Sequence, residues 1–184
     1  MKRIIIFFSV FLMHFVSLSA QEYKYEAKLG WFPADVLNIV YLMGEDPSGE
    51  TTYGPMKTAG LFSADFDYKV KKWLTVGAKV NYRNSWRDMK TISDSFEVYS
   101  IDRLQVVSVM PTVKFTTGYD SVFRYYAILG VGAGMDLSSG VNDAFMALQF
   151  TPVGISVGKK VSWYFEIGIG HAFMGFMTGL SCRF

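Results

Sequence analysis

The 184-residue sequence predicts an all-β fold, an eight-stranded antiparallel transmembrane β-barrel with an up-and-down meander topology. Segments of about ten residues alternate between apolar and polar side chains, and an alternation of period two indicates β-strands. The apolar faces carry large side chains, while the opposite faces carry small, polar or charged ones, as expected for a barrel in lipid. Short and long connections also alternate along the chain, which is typical of such barrels.

The first twenty residues predict a cleaved secretory signal peptide. Lys2 and Arg3 precede an apolar run from Ile4 to Val16, and small residues ending at Ala20 supply a cleavage site. A transmembrane anchor is the alternative, but this run is shorter than the ~20 apolar residues that span a bilayer. We therefore expect a signal peptide at residues 1–20 and one barrel domain at residues 21–184.

The charge balance of the expected mature chain is neutral. Removal of residues 1–20 lowers Lys+Arg from 18 to 16 and leaves Asp+Glu at 16, so the formal net charge falls from +2 to zero. Nucleic-acid binding would require a clustered basic excess, so no nucleic-acid partner is expected. Cys182 is the one cysteine in the sequence, which excludes an internal disulfide. No cofactor and no metal site are expected.

Strands one to four are predicted at residues 23–32, 58–68, 74–83 and 107–116. The first alternates tyrosine, alanine, leucine and tryptophan with lysine, glutamate and glycine. The second sets phenylalanine and tyrosine against serine and aspartate. The third sets valine, alanine and tyrosine against threonine, lysine, asparagine and arginine. The fourth sets valine and phenylalanine against serine, threonine and lysine, so each has one apolar and one polar face.

Strands five to eight are predicted at residues 123–134, 145–157, 162–170 and 176–184. The fifth and seventh place glycines on the inward face, where a narrow barrel needs small side chains. A phosphate-binding loop would need a strand–turn–helix context, which these glycines lack. The sixth changes parity at Thr151-Pro152, and because proline cannot donate to the ladder, we expect a β-bulge there. The eighth ends on an aromatic residue, Phe184.

This carboxyl-terminal end, together with the signal peptide and the strand count, resembles the small outer-membrane β-barrels of Gram-negative bacteria. In that family the last strand typically ends in phenylalanine, as the strand ending at Phe184 does here. The resemblance implies a cell outer-membrane location, contact with outer-membrane lipid, and recognition of Phe184 by the barrel-insertion machinery. It also implies a porin-like architecture.

The connections predict which end of the barrel faces outward. Short turns are expected near Lys71, Gly118 and Lys159, and long loops are expected from Pro33 to Lys57 and from Asn84 to Asp102. Short turns of such barrels are periplasmic and long loops extracellular. A ninth strand at residues 36–43 is rejected because its apolar residues do not alternate. The loop from Pro33 to Lys57 is the best candidate for contact with an external ligand or protein, the alternative being a loop folded on its own barrel.

Charged residues on the inward faces predict a structural network. Eight strands leave an interior only wide enough for side chains, and enclosed charges are expected to pair. We expect Asp65 and Asp67 to pair with Lys79 and Arg83, and Arg183 to pair with Glu166 and Glu26. A proton or ion path is the alternative. The predicted network comprises Glu26, Asp65, Asp67, Lys79, Arg83, Arg124, Glu166 and Arg183.

The sequence favours a non-enzymatic protein with a structural or surface-interaction role through its extracellular loops. The alternatives are a small-solute channel and, less favoured, a lipid-modifying outer-membrane enzyme. The chemical argument concerns His171, the one histidine after residue 20. Ala172 and Phe173 follow it, so no adjacent serine completes a catalytic pair, and no second histidine could help to bind a metal. No catalytic residue is predicted.

Overall fold

The computed structural model describes residues 23–32, 51–55, 57–93, 96–138 and 143–184. The predicted signal peptide at residues 1–20 and the apolar segment at residues 36–43 lie outside the described residues. Within the described ranges, no helix is long and apolar enough to cross a membrane.

Nine β-strands form in the described part of the chain. They are β1 (Tyr25–Phe32), β2 (Thr51–Tyr53), β3 (Lys57–Lys71), β4 (Leu74–Ser93), β5 (Phe96–Thr117), β6 (Phe123–Asp136), β7 (Asp143–Gly158), β8 (Val161–Gly170) and β9 (Gly175–Arg183). All except β2 form one closed antiparallel barrel, in the order β1-β3-β4-β5-β6-β7-β8-β9. The predicted eight-stranded antiparallel barrel is therefore confirmed.

The barrel closes between its first and last strands. Glu26 lies opposite Arg183, and Leu29 lies opposite Leu180. The backbone of Phe184 extends this pairing, because its N–H donates to Tyr25 O at 3.0 Å and its carbonyl accepts from Tyr25 N at 2.9 Å. Residue 184 is thus part of the seam.

The interior and exterior faces follow the predicted parity. Polar and charged residues on alternate positions are buried, including Glu26, Lys79 and Glu166, while the apolar residues between them are exposed. The alternating sequence places polar residues inside and apolar residues outside because successive side chains of a strand point to opposite faces. Each wall strand contributes to the apolar outer surface, for example through Leu29, Phe66, Val80, Val113, Leu129, Leu148, Ile167 and Leu180.

The predicted bulge in strand six is confirmed. The β7–β8 register shifts between Phe150 and Val153. Thr151 points inward and is buried, whereas Pro152 and Val153 are both exposed, so two consecutive side chains lie on the outside. The missing N–H of proline explains why the ladder breaks there.

The predicted long loop from Asn84 to Asp102 is wrong in its conformation. The chain instead continues as β4 and β5, whose pairing extends from Leu74↔Phe115 to Ser93↔Phe96. Residues 87–93 and 96–104 extend past the pairing of β4 with β3 and of β5 with β6, and we call them the projecting hairpin. Its valine, isoleucine, threonine and tyrosine residues favour strand, which explains the extension. The short β2, within the predicted first loop, pairs with β4 at Thr51↔Thr91.

The barrel has two chemically different ends. We call the end with the connections at residues 72–73, 118–122 and 159–160 the turn end; it also holds Lys24 and Phe184. The opposite end, which bears the projecting hairpin, is the loop end.

Candidate functional site

The centre of the lumen holds a first ionic quartet, formed by Lys28, Asp65, Lys79 and Glu166. The Glu166 side chain is 0 % exposed; its Oε1 accepts from Lys28 Nζ at 2.8 Å and its Oε2 from Lys79 Nζ at 3.0 Å. Asp65 Oδ2 lies 3.3 Å from Lys79 Nζ and 3.7 Å from Lys28 Nζ. Tyr126 also donates its hydroxyl to Glu166 at 2.9 Å. Two cations and two carboxylates therefore neutralise one another.

A second ionic quartet lies nearer the turn end and consists of Glu26, Asp67, Lys114 and Arg124. Lys114 Nζ donates to Glu26 Oε2 at 2.6 Å and also to Asp67 Oδ2. Arg124 donates to Glu26 Oε1 at 3.0 Å. Gly77 leaves room for the Asp67 carboxylate, since a Cβ at residue 77 would lie 2.2 Å from Asp67 Oδ1. This quartet is also neutral.

The ion pair predicted between Arg183 and Glu166 is wrong; Arg183 lies opposite Glu26 across the seam, as predicted, but its guanidinium bonds to backbone carbonyls. Its guanidinium donates to the carbonyl oxygens of Tyr119 at 2.9 Å, Gly158 at 3.2 Å and Lys159. Glu166 lies opposite Met177 on β9, six residues before Arg183, so the two side chains are at different levels of the barrel. Arg183 therefore ties the two turns together at the turn end instead of joining a quartet.

Of the two other predicted pairs, the structure confirms one and corrects the other. Asp65 meets Lys79 directly across β3 and β4, as expected, but Asp67 is opposite Gly77 and bonds to Lys114. Arg83 lies higher and donates to Ala172 O at 3.3 Å. Arg83 and Asp67 lie at different heights in the barrel, because successive residues on one face of a strand are about 6.6 Å apart along the strand.

Lys28 and Lys114 lie on the polar faces of predicted strands one and four but are absent from the predicted network. Each is a centre of one quartet, and both are almost completely buried. Their partners lie across the lumen, 138 residues away for Lys28–Glu166 and 88 for Lys114–Glu26. Neighbour-strand pairing does not reveal such contacts. The sequence could have indicated their role, because both lysines occupy inward positions of their strands and the lumen is too narrow to hold unpaired charge.

An apolar layer closes the lumen toward the loop end. The connection between β8 and β9 turns inward, and Phe173 is 1 % exposed beside Leu61, Met110 and Met177. The Gln149 side chain fixes its backbone by donating to Phe173 O and accepting from Phe173 N, both at 3.2 Å. Gly168 provides the space, since a Cβ there would lie 2.5 Å from the Phe173 ring.

Tyr119 closes the lumen at the turn end. Its ring is buried, and its hydroxyl donates to Tyr23 O at 3.2 Å. Burial, with the nearby Glu26 carboxylate, raises the pKa of Tyr119 to about 12, so the hydroxyl stays a neutral donor at physiological pH. With Arg183, it forms a polar lid below the second quartet.

His171 lies at the rim of the loop end. Its Nδ1 accepts from Leu148 N at 3.3 Å, and its ring lies 5.6 Å from that of Phe145. In the part of the chain that the structure describes, no group of three or more His, Cys, Asp or Glu side chains could hold a metal ion. The contacts of His171 hold the end of β8 against β7.

The projecting hairpin presents a mixed polar and apolar surface. Arg87 bonds to Asp102 at 2.9 Å, and its guanidinium stacks 3.6 Å from the centre of the Tyr53 ring of β2. Lys90 pairs with Glu97 at 2.6 Å, which lowers the pKa of Glu97. Large side chains point outward beside these charges, with Tyr99 72 % exposed.

One edge of this hairpin has backbone groups available for pairing. Gln105 O accepts from Leu137 N, so the backbone groups of alternate residues before it, including Arg103 and Ile101, point away from β4 on the same side. The pairing of β5 with β6 begins only at Val106↔Asp136. Among the described residues, no strand pairs with this edge between residues 97 and 104, and edges of this kind can accept an added strand.

The chain matches no family model. No curated protein is significantly similar to it either.

Proposed function

We propose that this chain is an integral outer-membrane β-barrel with a non-enzymatic role, structural or in surface interaction. The observation that carries the proposal is the inversion of the two faces. Charged residues fill the lumen, and large apolar residues cover the wall of all eight strands. A soluble barrel would need an apolar interior, and a soluble protein rarely exposes so large an apolar surface.

The strand lengths support a membrane position. β8 and β9 have 10 and 9 residues, and tilted strands of ~9–11 residues cross the hydrocarbon core. Aromatic residues lie near both ends of the wall, such as Trp73 and Trp163 at the turn end and Trp31 near the loop end. Such aromatic girdles favour the two membrane interfaces.

The projecting hairpin supports the surface-interaction part of the proposal. It rises about 20 Å beyond its last pairing with β3, given ~3.4 Å per residue, and it adds nothing to the wall. Its exposed Val98, Tyr99 and Ile101 and its available strand edge suit contact with a protein partner. The short β2, near the end of the predicted loop from Pro33 to Lys57, pairs with this hairpin, so residues 51–53 belong to the same surface.

Two substitutions at equally exposed residues test the membrane position. Leu129 on the wall is 50 % exposed, and Ile101 on the projecting hairpin is 52 % exposed. In lipid, Leu129→Arg should destabilise the barrel by about 2–4 kcal/mol, because arginine at the midplane loses its hydration. Ile101→Arg should change stability by less than ~0.5 kcal/mol, as at an ordinary surface site.

The measurement is denaturant unfolding of both variants in lipid vesicles, together with the amount of heat-modifiable protein in the outer-membrane fraction. We expect Leu129→Arg to lower both the free energy of unfolding and the amount of heat-modifiable protein, and Ile101→Arg to lower neither. Equal and small effects of the two substitutions would show that both residues face water, and would contradict the proposal.

A further inference from the structure

The turn end carries a strong excess of positive charge. Its only acidic side chain in the described ranges is Asp120, which pairs with Lys72 at 3.0 Å. The described residues of the projecting hairpin at the other end carry Arg87, Lys90 and Arg103 against Asp88, Glu97 and Asp102. Six lysines lie at the turn end: Lys24, Lys69, Lys71, Lys72, Lys159 and Lys160.

These lysines form an arc over neighbouring strands, in which β9 contributes no lysine. Lys69 N donates to Lys24 O at 2.8 Å, which places β3 beside the start of the chain's first strand. Lys24 N donates to Phe184 O at 3.1 Å, and Arg183 N donates to Lys160 O at 2.8 Å. The arc therefore runs over β3, β1, β9 and β8 at the ~4.8 Å spacing of neighbouring strands.

An aromatic patch lies on the outer wall directly beneath the arc. The Tyr25 ring lies 5.4 Å from Tyr68, 5.9 Å from Phe66 and 5.9 Å from Phe184. Tyr25 follows Lys24 in sequence and Tyr68 precedes Lys69, so the two tyrosines of the patch are each next to a lysine. The surface is cationic at the rim and apolar below it.

Lys160 has no counter-charge among the described residues, whereas Lys72 pairs with Asp120. The Lys160 Nζ is inaccessible to solvent and has no hydrogen-bond partner among the described residues. An ammonium in such a position is unfavourable unless an anion meets it, and the flexible lysine stem allows it to reach one at the rim. Lys24, Lys71 and Lys159 are exposed.

We propose that the arc and the aromatic patch together bind an anionic glycerophospholipid of the leaflet that the turn end faces. The lipid phosphate contacts the ammonium groups of Lys24, Lys159 and Lys160, as cationic residues near a bilayer attract anionic headgroups. The acyl chains lie over Tyr25, Phe66 and Phe184. This inference rests on the proposed membrane position and adds a lipid class and a site.

Quenching of tryptophan fluorescence by brominated lipids measures the preference. Trp73 and Trp163 are at the turn end, so a background with Trp31→Phe and Trp86→Phe reports that end alone. The barrel is reconstituted with brominated phosphatidylglycerol or brominated phosphatidylcholine, each diluted in unbrominated phosphatidylcholine. We expect an association constant about fivefold higher for phosphatidylglycerol.

Two charge-matched variants locate the site. Lys24→Gln, Lys159→Gln and Lys160→Gln together should reduce the preference to about one, since the anion loses three ammonium groups. The control, Lys57→Gln, Lys90→Gln and Arg103→Gln, removes three positive charges at the loop end and should keep the preference. Equal loss in both variants would indicate a general charge effect and overturn the site.

The remaining outcomes distinguish the lipid site from the membrane position, and a lipid phosphate from free inorganic phosphate. Quenching by both lipids without preference would overturn the lipid site and leave the membrane position intact, whereas no quenching by either lipid would contradict the membrane position itself. Inorganic phosphate should leave the preference unchanged relative to chloride at equal ionic strength. If phosphate abolished it, the arc would be a site for free phosphate and the lipid assignment would be wrong.

Discussion

At the scale of single residues, the lumen is organised by ion pairs that span it. Glu166 receives hydrogen bonds from Lys28, Lys79 and Tyr126, so one carboxylate joins four strands, β1, β4, β6 and its own β8. Pairs of this kind are neutral overall, and removal of one member leaves a buried charge without compensation. The contribution of each residue therefore depends on its partners across the barrel.

Glu166→Ala should destabilise the folded barrel by about 3–5 kcal/mol, because it leaves Lys28 and Lys79 with Asp65 as their one carboxylate within the quartet. The measurement is denaturant unfolding in lipid vesicles. Asp88→Ala is the control: it breaks an exposed pair with Lys57, worth less than ~1 kcal/mol.

Double substitutions distinguish the observed network from neighbour-strand pairing. The effects of Glu166→Ala and Lys79→Met should be strongly non-additive, whereas those of Glu166→Ala and Arg183→Met should add within ~0.5 kcal/mol. Coupling of Glu166 to Arg183 instead of Lys79 would show that the described contacts are wrong.

At the scale of elements, local rules predict the strands well and the connections poorly. The alternation of side chains predicted all eight wall strands, and the change of parity at Thr151-Pro152 predicted the bulge. The projecting hairpin was missed because its residues follow no strict apolar alternation, although their strand propensity is high. The inward Phe173 was missed because burial of a loop residue depends on space left by Gly168 on another element.

The last strand gives a prediction at this scale. The Phe184 ring packs on Tyr25 and Phe66, while its backbone closes the seam. Phe184→Ala keeps the backbone bonds and removes the ring, so it should lower the amount of protein inserted in the outer membrane more than the stability of barrels already formed. The assay is the heat-modifiable fraction in outer membrane, compared with unfolding of purified barrels.

Phe176→Ala serves as the matched control, because it removes an exposed aromatic ring at the start of the same strand. It should leave insertion near the wild-type amount. Wild-type insertion of Phe184→Ala would contradict a role of this residue as the insertion signal.

At the scale of the whole molecule, the sequence predicted the polarity of the two faces but not the pairs inside. Face polarity depends only on strand parity, which is local. The partner of Lys114 depends on barrel closure and on how far each strand is shifted along its neighbour. The sequence of a single strand determines neither. The asymmetry of charge between the two ends likewise emerged only when the turns were brought together.

The filled lumen predicts that the barrel does not conduct. Two ionic quartets, the Phe173 layer and the Tyr119 lid occupy successive levels of an eight-stranded interior. Purified protein in a planar bilayer should therefore show no stable single-channel steps. Steady steps of uniform size would contradict the filled lumen and favour the small-solute channel.

The central claim is that the apolar outer wall lies in lipid, and spin-label accessibility tests it most directly. Val113, Leu129 and Phe150 form one outward row across β5, β6 and β7. Each is replaced by cysteine and labelled in a Cys182→Ser background, with Ile101→Cys as the control on the projecting hairpin. In vesicles, the three wall labels should collide with lipid-soluble oxygen and be shielded from a water-soluble nickel chelate, whereas the label at residue 101 should show the reverse. If the wall labels reach the nickel chelate as readily as the label at residue 101, the outer wall faces water and the account is contradicted.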